Sequence, residues 1–190
     1  VPFWFKIIAG VLLIDLADYW IHRIDHRNPL LWRQHRVHHS DTDLDSSTAL
    51  RGFPTDIIFF TCGELLMCVI GGLDILSLNI FFFMFLPVSF LHHSKLNYPA
   101  WVDKVFGWLL VTPNYHKVHH EQNQFYTDSN YGTFFIVWDK LFGTFRTKPV
   151  EEINYGLKEF EGSKKQSFLY LIKSPFIRIE RIMDDEVVKP

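Results

Sequence analysis

The fold of this chain is decided by the stretch from Asp18 to His39, which reads DYWIHRIDHRNPLLWRQHRVHH and holds five of the ten histidines. The other five fall into two further groups, and none stands alone: His92 and His93, then His116, His119 and His120. The last group repeats the spacing of His35, His38 and His39. Residues at i, i+3 and i+4 share a face of a helix. The spacing therefore predicts helices that each present two or three imidazoles in one direction.

This clustering indicates a metal centre. Neutral imidazole is a common nitrogen ligand for zinc, iron and copper. One tetrahedral ion takes about four ligands, so eight or nine imidazoles indicate two ions close together. The alternative is a set of solvated surface histidines, which is the more frequent explanation for a single i, i+4 pair. Three such groups without an isolated histidine favour the metal centre.

Length and composition point to one domain that is partly in a membrane. The chain has 190 residues, within the usual range for a single domain. Its net charge of -2 gives no indication of a nucleic-acid partner. Mean hydropathy is only slightly positive, as expected if an apolar half and a polar half are averaged. Cys62 and Cys68 both lie in an apolar run, and we expect buried free thiols rather than a disulfide.

Two segments are apolar enough to suggest membrane helices. Residues 1–21 are long enough to span a bilayer or nearly so, although they include Asp15 and Asp18. Asp18 either orients His22, four residues later, or simply reaches water at the interface. Residues 55–91 predict two helices of roughly 17 residues with a turn at residues 71–74. Such a hairpin returns the chain to the side on which it started, so the histidines before and after it can meet.

The distribution of positive charge predicts on which side of the membrane the histidines lie. Of 19 lysines and arginines, only Lys6 lies outside residues 22–54 and 92–190, and the turn at residues 71–74 has none. Cytoplasmic loops of membrane proteins carry an excess of lysine and arginine. We therefore expect an integral, multi-pass membrane protein whose active site faces the cytoplasm. The chain begins at Val1 rather than methionine, and we expect further sequence upstream.

The remaining elements complete an all-α prediction: membrane helices with a cytosolic helical cap that carries a histidine-rich two-metal site. Asn28-Pro29 and Thr112-Pro113 each combine an N-cap residue with proline at the first helical position, and they predict helix starts. Further helices are expected at residues 134–145 and 167–183, the second broken by Pro175, with a polar loop at 150–166. We predict a membrane catalytic domain over residues 1–150 and a C-terminal cytosolic tail over residues 151–190.

The absence of several well-known motifs argues against other kinds of chemistry. The chain contains no HExxH peptidase motif, no GxxxxGK[ST] phosphate loop and no GxGxxG dinucleotide loop. A nitrogen-only metal site beside a membrane suits attack on an unactivated C–H bond, which needs a redox metal and dioxygen. A lipid is the expected substrate, because it can approach through the membrane helices.

The histidine groups resemble the HxxxH, HxxHH and HxxHH boxes of the fatty acid hydroxylase (sterol desaturase) superfamily. The run from Asp15 to Arg23 is similar to the family's lead-in to its first box. The run from Ser47 to Arg51 is similar to one in its alkylglycerol-monooxygenase-like branch. Residues 130–132 (NYG) and 138–145 (WDKLFGTF) resemble its closing motif. In all, the resemblance covers about residues 15–145.

The resemblance implies a membrane-bound non-haem di-iron oxygenase that hydroxylates a C–H bond of a sterol, a fatty acyl chain or an ether lipid. It implies two iron ions, dioxygen as co-substrate and an external electron donor of the cytochrome b5 or ferredoxin kind. Carried over position by position, the metal ligands are His22, His26, His35, His38, His39, His93, His116, His119 and His120. His93 is the looser match, since Lys95 stands where the family often has asparagine. His92 has no counterpart and is expected to be structural or to support a ligand.

Three other functions remain open at the level of sequence. Acyl-lipid and sterol desaturases use similar histidine boxes. A non-catalytic membrane protein that binds or transports metal would also need clustered ligands, although transporters usually place ionisable residues within the membrane. A membrane haem protein would need only two to four of the histidines.

Overall fold

The computed structural model describes residues 2–180, which are helical with irregular connections and contain no β-strand. Only two isolated β-bridges occur in this part of the chain. The all-α prediction is therefore confirmed. The helices are α1 (Phe3–Arg27), α2 (Pro29–His39), α3 (Pro54–Gly71), α4 (Ile75–His92), α5 (Ala100–Phe106), α6 (Pro113–His119), α7 (Gln124–Thr127), α8 (Val137–Leu141) and α9 (Phe168–Lys173). Short 3-10 turns cover Ser46–Leu50, Val150–Glu152, Lys158–Phe160 and Ser174–Phe176.

The two helices that carry histidine triplets start where the sequence predicts. The Asn28 side chain accepts hydrogen bonds from the backbone N–H groups of Leu30 and Leu31 at the start of α2. The Thr112 hydroxyl accepts one from the N–H of Tyr115 at the start of α6. Proline takes the first position of both helices, where its missing N–H costs nothing. The caps thus fix the rotational position of each histidine group.

Helices α3 and α4 form the predicted hairpin. Each has 18 residues, and among the described residues only these two helices are long and apolar enough to cross a membrane. The 25-residue α1, with Lys6, Asp15 and Asp18, is not one of them. Gly72 ends α3 in the left-handed conformation, with φ of 57°, and the Asp74 side chain caps α4. Most of both helices is exposed, unlike a helix in the core of a soluble protein.

Helix α1 packs against both members of the hairpin, and two glycines allow the close approach. A Cβ atom on Gly63 of α3 would lie 2.3 Å from the Cδ1 atom of Ile21. A Cβ atom on Gly10 would lie 2.3 Å from the hydroxyl oxygen of Ser77 in α4. The hairpin also corrects one prediction, because Cys62 is exposed and Cys68 is partly exposed; both are free. Cys62 lies on an open face of α3, whereas Cys68 packs at the edge of the cluster formed by Ile14, Leu78, Phe81 and Phe134.

The segment after α7 differs from its prediction. A continuous helix over residues 134–145 is wrong, since only Val137–Leu141 is helical. The backbone N–H groups of Phe134 and Phe135 donate to the Asp15 carboxylate, at 2.8 and 3.2 Å, rather than to backbone carbonyl oxygens of a helix. The Trp138 indole N–H donates to the same carboxylate at 2.7 Å. A buried side chain of α1 therefore ties this segment down in a non-helical form.

Residues 150–180 pack against α2. Leu157 and Phe160 form a buried cluster with Trp32. The buried Arg36 guanidinium donates to the backbone oxygens of Ser174 and Ile179, at 2.6 and 3.1 Å. The predicted helix over residues 167–183 ends earlier, at Lys173, and a 3-10 turn that contains proline follows. Residues 181–183 of that prediction lie outside the described residues.

Candidate metal centre

The nine predicted ligands lie together in two neighbouring groups. In each group every residue offers one nitrogen, and these nitrogens all lie within 4.8 Å of one another. The first group consists of His22, His26, His35, His39 and His119; the second consists of His38, His93, His116 and His120. The rings of His39 and His120, one from each group, are stacked with centroids 4.6 Å apart. The chain therefore brings together two sites that could each hold a metal ion.

The division of the histidines between the two groups follows from helix geometry. Successive residues of an α-helix are about 100° apart, so His38 and His39 project differently and enter different groups. In α2, His35 and His39 belong to the first group, and His38 belongs to the second. Helix α6 has the opposite arrangement, since His119 enters the first group and His116 and His120 the second. Each triplet thus places two of its imidazoles in one group and the third in the other, within the prediction that two or three point in one direction.

Distances between ring nitrogens match those between ligands of one ion. In the first group, the Nε2 atom of His35 lies 3.1 Å from that of His22 and 3.3 Å from that of His39. In the second group, the Nε2 atom of His93 lies 3.0–3.2 Å from those of His38, His116 and His120. Two nitrogens bound about 2.1 Å from one ion are roughly 3.0–3.4 Å apart at angles near 90–109°.

The other ring nitrogen, Nδ1, has an acceptor in five of the nine imidazoles. Backbone carbonyl oxygens accept from three, and carboxylates pair with two. The pairs are His22 with the Tyr131 carbonyl (2.9 Å), His119 with the Ser129 carbonyl (2.6 Å), His93 with the Ser89 carbonyl (2.7 Å), His26 with Asp128 (3.2 Å) and His35 with Asp56 (3.0 Å). Such partners fix the tautomer and the orientation of metal-binding histidines.

These partners make the site suitable for a cation. A carbonyl oxygen carries no hydrogen, so Nδ1 of His22 holds the proton and its Nε2 presents a lone pair. Nδ1 of His35 donates to a carboxylate in the same way. In the neutral form of His35, two lone pairs therefore face each other across 3.1 Å. A positive ion between the nitrogens removes this repulsion, and the Nε2 atom of His119 is likewise buried with no hydrogen-bond partner among the described residues.

The protonation states also suit metal binding. Burial, and then the neighbouring imidazoles, lowers the pKa well below the ordinary histidine value at five positions: His38, His39, His116, His119 and His120. These rings are neutral at pH 7, as metal ligands must be. His35 differs, because burial opposes its charge but the Asp56 carboxylate beside it raises the pKa overall.

The structure also shows what His92 and Asp18 contact, two residues whose roles the sequence left open. His92 belongs to neither group: its Nε2 atom donates to the Val111 carbonyl at 3.0 Å, and its ring stacks on His116. Asp18 does not orient His22; its carboxylate accepts a hydrogen bond from Thr133. The support for His22 comes instead from the Tyr131 carbonyl.

Sequence reasoning missed how the carbonyls of this segment are held. The Asp139 carboxylate accepts hydrogen bonds from the N–H groups of Tyr131 and Gly132, at 2.8 and 2.9 Å, and from the Thr144 hydroxyl at 2.7 Å. Asp139 is fully buried, and burial raises the pKa of its carboxyl group. The only signal in the sequence was an aspartate within the run WDKLFGT. Its role is to fold the loop that supports His22.

A cavity of about 310 Å³ lies between the histidines and the α3–α4 hairpin. One side is lined by imidazoles, and the other is mainly apolar, although the carboxyl groups of Asp18, Asp56 and Glu64 also belong to the lining. The imidazoles are those of His22, His35, His38, His92, His93 and His116, and the apolar residues include Ile57, Phe60, Phe82, Phe85 and Leu86. The volume is near the lower end of the range for small-molecule sites. An extended alkyl chain would fit such a space better than a bulky polar ligand.

This fold and this site define a helical membrane protein with a histidine-rich candidate metal centre. The family model described as fatty acid hydroxylase matches residues 7–144. The chain belongs to the fatty acid hydroxylase family, and the resemblance of its histidine boxes is thereby confirmed. This is a metal-dependent family. No solved structure matches the chain.

Several curated proteins are similar to this chain. Human alkylglycerol monooxygenase is 33% identical over 158 residues, which cover 81% of this chain and 33% of the human protein. Ornithine lipid hydroxylase of Rhizobium tropici is 27% identical over 183 residues, or 93% of this chain and 52% of that protein. A very-long-chain aldehyde decarbonylase of rice is 29% identical over 160 residues, covering 80% and 59%. The chain spans about a third of the length of the alkylglycerol monooxygenases that it matches.

Proposed function

We propose that this chain is the catalytic part of a membrane-bound di-iron oxygenase that hydroxylates a C–H bond of a lipid. One observation carries the proposal: imidazoles of both groups line a cavity whose apolar lining comes mainly from the apolar helices α3 and α4. The names of two similar proteins, a monooxygenase and a hydroxylase, agree with this reaction. An ether lipid, a fatty acyl chain and a sterol all remain candidate substrates.

The nine histidines of the two groups are the proposed ligands, with five for one ion and four for the other. Nine imidazoles exceed the six positions of an octahedral ion, which supports two ions rather than one. Iron is proposed because C–H hydroxylation needs a redox metal that activates dioxygen, which is the chemistry that the bound ions would supply.

The protein's own contribution is orientation and exclusion of water. Backbone carbonyls hold the Nδ1 protons of His22, His93 and His119, so each Nε2 atom stays unprotonated and directed at the metal positions. The apolar wall formed by Phe60, Phe82 and its neighbours would align an alkyl chain beside them. Positioning of this kind lowers a barrier by removing the entropy cost of bringing reactants together.

Electron supply and orientation belong to the same proposal. An external donor of the cytochrome b5 or ferredoxin kind would deliver the electrons that hydroxylation with dioxygen needs. The concentration of lysine and arginine on the histidine side of the hairpin supports a cytoplasmic active site.

The experiment that tests the proposal compares His119→Ala with Gln122→Ala. His119 lies in the first group, whereas Gln122, three residues later, lies outside both groups and donates to Glu161 at the exposed surface. We expect about two irons per chain in the wild type, loss of iron and of oxygenated product in His119→Ala, and retention of both in Gln122→Ala. Metal analysis and mass spectrometry of 1-O-hexadecylglycerol, incubated with the purified protein, dioxygen and a reductant, are the measurements.

The products separate the alternatives. A gain of one oxygen supports hydroxylation, a loss of two hydrogens supports desaturation, and exchangeable zinc without product supports a binding or transport protein. Full activity and full iron content in His119→Ala would contradict the ligand assignment.

A further inference from the structure

We propose that Glu64, paired with Asp18, binds a hydroxyl group of the lipid substrate and thereby selects hydroxyl-bearing lipids. The inference rests on the proposed function, since it concerns the cavity beside the metal centre. Glu64 lies in the middle of α3, where a carboxyl group in an apolar helix needs an explanation.

The surroundings of Glu64 are unusual for a carboxyl group. Its side chain is buried, with only 4% of the residue exposed, and it lines the cavity. It forms a side-chain hydrogen bond with Asp18 of α1. Its other oxygen, Oε2, is buried and has no hydrogen-bond partner among residues 2–180. A buried polar atom without a partner costs roughly 1–3 kcal/mol, so a ligand that hydrogen-bonds Oε2 would be favoured.

The position is built rather than accidental. Gly63, the residue before Glu64, lets α3 approach Ile21 of α1 closely enough for the two carboxyl groups to meet. Asp18 is held on its other side by the Thr133 hydroxyl. The pair therefore has a fixed place in the wall that also carries His22.

The chemistry of the pair selects the class of ligand. Two carboxyl groups that share a hydrogen bond need one proton between them, because an ionised carboxylate can only accept. The shared proton lies between the two carboxyl groups, so the free Oε2 atom is an acceptor. A hydroxyl group can donate to it, whereas an ether oxygen cannot. The described lining of the cavity includes no lysine or arginine, which disfavours an anionic headgroup in this space.

A site built to hydrogen-bond a hydroxyl discriminates against a ligand that lacks one, because its own polar atom is then left without a partner. The test is competition of hexadecan-1-ol and 1-methoxyhexadecane against a fluorescent alkyl probe on the purified full chain. The two compounds have the same alkyl chain and the same oxygen, but only the alcohol can donate. We expect the wild type to bind the alcohol about tenfold more tightly.

Two variants make the test specific to Glu64. Glu64→Leu should bind both compounds equally, whereas Glu64→Gln should keep the preference, since its amide can donate to Asp18 and accept from the alcohol. Thermal unfolding checks that each variant is folded. Equal affinities in the wild type would overturn the inference even if Glu64→Leu fails to fold, as would a preserved preference in folded Glu64→Leu.

Binding is measured without turnover, so this outcome is separate from that of the proposed reaction. A preference for the alcohol in a protein that yields no oxygenated product would leave the Glu64 inference intact and contradict the reaction. Oxygenated product together with equal affinities for the two compounds would support the proposed reaction and contradict the Glu64 inference.

Discussion

At the scale of single residues, Asp56 is the carboxylate that most directly affects a proposed ligand. Its Oδ2 atom accepts the Nδ1 proton of His35 at 3.0 Å, and the Asp25 carboxylate lies 3.9 Å from the same nitrogen. A carboxylate in this position makes the opposite ring nitrogen a stronger metal donor. Asp56 stands at the start of α3 and lines the cavity, so it links the membrane hairpin to the metal centre.

Replacing Asp56 should weaken metal binding without unfolding the chain. We expect Asp56→Ala to reduce iron affinity by roughly 10–100-fold, and Asp56→Asn by less, because the amide oxygen can still accept from His35. Chelator competition measures the affinity. Asp43→Asn is the control, since Asp43 pairs with Lys95 at the exposed surface. Unchanged affinity in Asp56→Ala would mean that His35 is oriented by other contacts.

The sequence could predict which histidines lie together but not what orients them. The outer histidines of each triplet are four residues apart, so local helix geometry already places them in one group. The Nδ1 partner of His22 is 109 residues away, and that of His26 is 102 residues away. These contacts depend on tertiary folding, and a backbone carbonyl leaves no trace in the identity of its residue. Asp18 was therefore a reasonable but incorrect candidate for orienting His22.

At the scale of elements, α1 connects the hairpin to the segment that supports the histidines. Asp15 accepts three hydrogen bonds from residues 134–138, and Ile14, two helical turns before His22, packs with Phe81 of α4 and Phe134. The predicted helix over residues 134–145 failed for this reason. Local apolar composition favoured a helix, but the buried carboxylate of a distant helix offers those backbone N–H groups a better acceptor.

Asp15→Asn should therefore destabilise the fold. The amide replaces one acceptor oxygen with a donor, which opposes N–H groups that have no other partner. We expect a loss of about 2 kcal/mol in the free energy of unfolding, read as a lower thermal unfolding midpoint in detergent micelles. Asp74→Asn is a matched control, because Asp74 caps α4 at an exposed turn and asparagine caps equally well. Equal midpoints for the two variants would contradict this role of Asp15.

At the scale of the whole molecule, the α3–α4 hairpin determines where the two halves of the chain meet. The histidines before α3 and those after α4 form common groups, so both ends of the hairpin lie on the same side of the molecule as the candidate metal centre. This argument needed only the positions of the histidines and the length of the apolar run, and the sequence was sufficient for it. The packing of residues 150–180 on α2 was not predictable, because Leu157 and Phe160 stand in a polar stretch without periodicity.

The proposed orientation can be tested with single cysteines in a background in which Cys62 and Cys68 are serine. Ile75→Cys reports on the turn of the hairpin, and Ser163→Cys on the histidine side; both positions are exposed. In intact bacterial expression cells, an impermeant maleimide should label the cysteine at position 75 and leave that at position 163 unlabelled. The reason is that segments rich in lysine and arginine, such as the one around position 163, stay on the cytoplasmic side of the membrane. Permeabilised cells, in which both should react, are the control. Labelling of position 163 alone would reverse the orientation, and labelling of both in intact cells would mean that α3 and α4 do not cross the membrane.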